Sequence, residues 1–157
     1  MILTWLGRAA LYVCFAGALG GFVEQAVALR HHRRSRAMWW AGLSVLGIAG
    51  AIGVMEFALI THNFSLAYVT ENNATFTPLL YSITGLWSAL EGSLMLWVLL
   101  QTGITLGVLL YYRRDKSEPV VGWAAMVLFA IGAFFTLLMM GPADPFLHNA
   151  ALVHQGA

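Results

Sequence analysis

The sequence predicts an all-α integral membrane protein with about four transmembrane helices, both termini extracytoplasmic, and a functional outer loop between helices two and three. Three observations carry this. Of 157 residues, 60% are hydrophobic and 10% charged, where a soluble domain carries about 25% charge; the mean hydropathy is +0.77. The apolar runs exceed the ~18 residues that mark a membrane-crossing helix. Finally, the basic residues gather in two short loops, 30–36 and 113–116, which the positive-inside rule assigns to the cytoplasm. Two crossings separate those loops, so both fall on one side and the amino terminus, long loop and tail fall on the other. The net charge of +1 says little, because placement outweighs the sum. No nucleic-acid partner is expected; membrane lipid is.

The first helix is expected at about 3–29. Met1-Ile2-Leu3 lacks the charged start of a cleaved leader, so the helix reads as permanent. Arg8 lies near enough to the outer end to snorkel, and Gly17, Gly20 and Gly21 leave a smooth face for a neighbouring helix. The lone Cys14 allows neither an internal disulfide nor a redox pair and reads as packing. Arg30-His31-His32-Arg33-Arg34-Ser35-Arg36 follows; its cationic neighbours argue against a metal at the histidines. The second helix, about 38–60, opens on the interfacial anchors Trp39 and Trp40 and carries Glu56 one turn from its outer end.

The outer loop, 61–85, is polar and aromatic. Phe64 to Val69 suggests a short extended piece or a surface helix, Glu71-Asn72-Asn73 a turn, and Pro78 the start of a helix. His62 reads as a solvated loop histidine rather than a ligand. The third helix is expected at about 86–112. Pro119 opens the fourth, about 120–140, where Met126, Met139 and Met140 fill gaps. The outer tail is 141–157; His148 and His154, six apart, share no helical face. There is no phosphate loop, no H-E-x-x-H and no dinucleotide fingerprint.

The stretch with most chemical content is Trp87-Ser88-Ala89-Leu90-Glu91-Gly92-Ser93-Leu94-Met95-Leu96-Trp97. A carboxylate, a hydroxyl and two indoles fall within eleven positions at the edge of a membrane span, where a carboxylate is costly without a partner or a task. On a continuous helix Trp87 and Glu91 are i,i+4 neighbours, and Ser93, Trp97 and Gln101 form a second stripe. Gly92 permits close approach beside Glu91. Two readings of Glu91 stand: a buried, hydrogen-bonded structural carboxylate, and a working one.

This stretch resembles the Trp-Gly-x-His-Glu-Gly-Ser-Leu-Leu-Leu-Trp signature of the CcmF family, among the CcmF/CycK/CcsA-like haem-handling membrane proteins. Three further pieces are similar to family segments in matching order: Phe64 to Asn72, with its Phe-x-x-x-Tyr-Val pattern; Pro78-Leu79-Leu80-Tyr81; and Asp144-Pro145-Phe146. The resemblance implies a multi-pass protein of the bacterial plasma membrane, active on its extracytoplasmic face. It implies transfer of haem from the haem chaperone CcmE, with CcmH-type thiol partners, to the Cys-x-x-Cys-His of apocytochrome c. That task is largely one of positioning. It further implies a b-type haem bound by the full-length protein, with axial ligands outside this chain and lyase activity not expected of this chain alone. The haem-site or partner-docking candidates are Trp87, Glu91, Gly92, Ser93 and Trp97, with Tyr68, Glu71 and Asn72 from the loop; no metal ligand is expected.

Two departures limit the carry-over. Leu90 stands where the family often has histidine, so no role of that histidine transfers. The Trp-rich WWD segment and its bracketing histidines are absent, which leads to the expectation of an amino-terminal portion, truncated or split-gene, unstable in isolation. The alternative is a non-catalytic membrane scaffold or accessory subunit of the cytochrome c maturation complex. A transporter fragment would need a second half with matching broken helices.

Overall fold

In the computed structural model, residues 2–33, 35–74, 78–113 and 119–148 are described. Every element of them is helical: α1 (Ile2–Arg30), α2 (Ala37–Ile60), the short α3 (Ala67–Asn72) and α4 (Leu79–Thr84), a 3₁₀ turn (Gly85–Trp87), α5 (Leu90–Tyr111) and α6 (Pro119–Met139). The four long helices have 21 to 29 residues; at 1.5 Å per residue the shortest spans about 31 Å, enough for a hydrocarbon core of ~30 Å. Each also holds a window of mean hydropathy between 1.6 and 2.2, so all four are long and apolar enough to cross a membrane.

The long helices form a ring in which α1 packs on α2 and α6, and α5 packs on the same two. Lipid tails are as apolar as leucine, so such a ring is held by close packing and interhelical hydrogen bonds rather than by hydrophobic burial. The α1–α2 seam shows this at backbone level. A Cβ on Gly17 would fall 2.6 Å from the Ser44 nitrogen, and one on Gly47 would strike the Cys14 backbone. The Ser44 hydroxyl donates to the Cys14 carbonyl at 3.3 Å, while Cys14 itself is buried as packing. Across the ring, the Gln101 amide donates to the Leu128 carbonyl, joining α5 to α6.

One end of the ring is closed by chain that returns over it. After α6 the tail turns at Gly141, and Phe146 becomes fully buried, its ring filling the space that a side chain at Gly7 would need. The Ala67 N–H donates to the Leu147 carbonyl at 2.9 Å, beside an antiparallel bridge between Leu66 and His148. The start of α1, the end of α2, the 61–89 connection, the start of α5 and the tail therefore meet at this loop end. The 31–36 connection and Arg113 lie at the opposite, basic end. There Glu24 accepts from the Arg33 guanidinium at 3.0 and 3.1 Å and from the Arg36 N–H at 3.0 Å.

Several expectations need correction. The third helix does not run unbroken from 86: α5 starts at Leu90, after an extended Ala89 (φ −127°, ψ 169°), and Trp87 belongs to the separate 3₁₀ turn. Trp87 and Glu91 are therefore not i,i+4 neighbours on one helix. Asn72 ends α3 rather than opening a turn, and only Asn73 is extended. Arg8 does not snorkel alone; it forms an ion pair with Asp144 at 2.6 Å. His62 is half-buried rather than solvated, with a left-handed backbone (φ 51°) and a buried Nε2 that has no hydrogen-bond partner among the described residues. Arg34, residues 114–116 and His154 lie outside the described residues.

Candidate functional site

The break before α5 is built by one tyrosine. Tyr68, on α3, is buried, and its hydroxyl donates to the Leu86 carbonyl at 2.6 Å, with the Gly85 carbonyl 3.1 Å away. The same spot receives the backbone of Gly92, where an added Cβ would land on the Leu86 carbonyl oxygen and the Tyr68 hydroxyl. Here glycine is required by close approach. The Tyr68 hydroxyl thus serves the Leu86 carbonyl, which a continuous helix would have bonded internally.

Neighbouring polar side chains hold the lock. The Ser88 hydroxyl lies 2.7 Å from Asn72 Oδ1 and 2.8 Å from the Gly85 carbonyl. Asn72 Nδ2 donates to the Tyr68 carbonyl at 3.0 Å, and Asn73 Nδ2 to the Leu59 carbonyl of α2 at 2.8 Å. The Ser82 hydroxyl donates to Asn73 Oδ1 at 3.3 Å, tying in α4. Short hydroxyl and amide side chains compete with helical backbone bonds, which is why this polar cluster interrupts an otherwise apolar run.

The electrostatics follow from that burial. Burial pushes the Tyr68 phenol above its ordinary value, against the hydrogen bond with Ser88, and the carboxylates of Glu91 and Glu56 push it the same way. Glu91 sits in the first turn of α5, where a negative charge meets the positive end of the helix dipole. It is half-buried and makes no hydrogen bond or ion pair among the described residues, so no arginine partner accounts for it there. Glu56, near the end of α2, has a buried Oε2 without a partner.

The structure brings Tyr68, Asn72, Trp87, Gly92 and Ser93 into one assembly, with the Ser93 hydroxyl 3.5 Å from the Trp87 carbonyl. It does not bring in Trp97, which lies further along α5 and is 68% exposed, or Glu71, which is exposed outside the lock. Trp87, Leu90, Leu79, Leu80 and Tyr81 expose an aromatic and apolar rim around it. Sequence reasoning missed Ser88 and the Arg8–Asp144 pair. The signal for the pair was available: opposite charges at the ends of two spans that share a side.

Among the described residues no group of three or more His, Cys, Asp or Glu is placed to hold a metal. The loop-end cleft lined by Arg8, Leu11, Tyr12, Met140 and Asp144 encloses about 230 Å³, below the ~300–1,000 Å³ of small-molecule sites. Its lining holds Tyr12 and Met140 as residues of haem-ligating type, but its volume falls short of a small-molecule site.

No protein-family model matches the chain. It is 32% identical over 112 residues to the cytochrome c-type biogenesis protein CcmF of Escherichia coli (strain K12), covering 71% of this chain and 17% of that protein. Against the cytochrome c-type biogenesis protein ccl1 of Rhodobacter capsulatus the identity is 46% over 108 residues, 68% of this chain and 16% of that one. Among solved structures, a chain described as cytochrome c haem lyase CcmF superposes with a TM-score of 0.79 at 33% identity. That match takes in 97% of this chain and 26% of the solved one. The chain thus spans about a sixth of the curated relatives' length.

Proposed function

The chain is CcmF-like, similar to the amino-terminal part of that family, and on this premise we propose that its loop end forms part of the working face of a cytochrome c haem lyase. In this reading the loop end lies on the outer face of the bacterial plasma membrane and the arginine-rich end lies in the cytoplasm. The whole protein moves haem from a CcmE-type chaperone to the Cys-x-x-Cys-His of apocytochrome c, with a CcmH-type partner. Each thioether forms as a cysteine sulfur bonds one vinyl carbon of the haem and a proton adds to the other; nothing leaves.

Haem here is substrate, and we assign none of the described residues as its ligand. What they supply is position. The Tyr68–Leu86–Gly92 lock fixes the orientation of Trp87 and of the first turn of α5. The exposed indole and its apolar neighbours suit a flat aromatic macrocycle or a partner's apolar surface. Glu91, half-buried and without a partner among the described residues, suits a cationic group on that partner. The single observation that carries the proposal is this lock, because it holds Trp87, Gly92 and Ser93 of the signature together at one end of the ring.

The test is replacement of Glu91→Gln and Trp87→Ala in the protein expressed from its own gene, with haem-stained c-type cytochromes measured at equal membrane levels. The expected loss is about tenfold or more, the scale of misplaced reactants. Full maturation in both variants would favour the scaffold reading instead.

A further inference from the structure

At the basic end, opposite the loop end, α1 and α6 border a groove lined by Ala26, Leu29, Arg30, His32, Trp123 and Met126. It encloses about 450 Å³. Its floor is apolar, from Ala26, Leu29 and Met126. Its mouth is polar: Arg30 ends α1, and His32 follows in a left-handed turn (φ 49°). That turn closes the helix, since the His31 N–H donates to Val27 and the Arg33 N–H to Ala28. The exposed Trp123 sits in the first turns of α6, at the level where indoles mark a membrane interface.

Among the described residues the charge at the mouth is not spent inside the protein. Arg33 is committed to Glu24, whereas the Arg30 guanidinium makes no ion pair among the described residues. A groove with an apolar floor, an interfacial indole and a guanidinium without an ion pair among the described residues matches one molecule of its surroundings, a phospholipid with an anionic headgroup. We infer that this groove is a binding site for a single anionic phospholipid. The phosphate meets Arg30 and the His32 imidazole, the glycerol region lies by Trp123, and one acyl chain runs along Leu29, Ala26 and Met126. The inference requires only that α1 and α6 cross a bilayer and is independent of the haem reading.

The experiment places the protein, expressed from its own gene, in nanodiscs of equal parts phosphatidylglycerol and phosphatidylcholine, and counts co-released lipid by native mass spectrometry. Phosphatidylglycerol is expected to be retained about fivefold over phosphatidylcholine, the scale of one basic residue at a membrane surface. Arg30→Gln should bring the ratio near one. Arg113→Gln, a cation at the same end but outside the groove, should leave it unchanged. Met126→Trp, which fills the floor, should reduce retention of both lipids with helix content preserved. Equal retention of the two lipids overturns the site, as does an equal effect of Arg30→Gln and Arg113→Gln. Cross-linking of a protein segment in the groove in place of lipid also overturns it.

Discussion

Gly92 is the residue on which the loop end turns. Its missing side chain lets the start of α5 press against the Leu86 carbonyl, under the Tyr68 hydroxyl. Gly92→Ala should therefore destabilise the loop end by about 1–3 kcal/mol, the cost of overpacking a fitted site, seen as faster amide exchange over 85–92; unchanged exchange would contradict the lock. Tyr68 adds a pH dependence. The phenol is neutral when protonated, and burial raises its value in the fold above the ordinary ~10. The folded chain therefore holds that proton more tightly than the unfolded one. The stabilisation is fully present below pH ~10 and is lost as pH climbs through the raised folded value. A difference spectrum between the parent and Tyr68→Phe should show Tyr68 ionising later than an ordinary tyrosine; ionisation in the ordinary range would contradict its burial. The chemical interest of Trp87, Glu91 and Gly92 was legible in the sequence because polar groups are conspicuous at a span's edge. Their geometry was not, because the partner that breaks the helix, Tyr68, is 18 residues away from Leu86, and no local periodicity encodes it.

At the scale of elements, helix existence was read from hydropathy and loop charge, and the structure has helices over all four stretches. The boundary that failed was the start of α5. Leu86 and Leu90 keep hydropathy continuous across Ser88 and Ala89, so an apolar-run criterion passes over a break made by hydrogen bonding. The tail is the other element with a tertiary cause. It is fastened by Phe146 against Gly7 and by Asp144, which accepts from Arg8 at 2.6 and 2.9 Å and from the Phe146 N–H at 2.8 Å. Asp144→Asn removes the charge from a carboxylate that is nearly buried while Arg8 is one-third exposed. The expected loss is about 1–3 kcal/mol, with protease cleavage near 141–148 as its first sign. Resistance equal to the parent's would show that Phe146 and the backbone pairing of Leu147 and His148 hold the tail without the ion pair. Such a pair, 136 positions apart in the chain, follows from the parity of crossings only as a shared side, never as a contact.

For the whole molecule, the ring has two chemically different ends joined by an apolar belt. Leu100, Ile104, Val127 and Phe134 are exposed on that belt, as suits helices facing lipid. The basic end carries Arg30, without an ion pair among the described residues, and the groove beside it. The loop end carries the first part of the signature, a Glu91 without a partner among the described residues, and a rim of exposed aromatic and apolar side chains. The account therefore assigns partner recognition to the loop end alone. The most direct measurement is site-specific photo-cross-linking in cells that make c-type cytochromes. One photoreactive side chain replaces Tyr81, exposed on α4 at the loop end; another replaces Trp123, exposed at the basic end. The account predicts capture of the haem chaperone or apocytochrome c from position 81 and neither from position 123. Capture from 123 alone, or none from 81 while maturation proceeds, would contradict it.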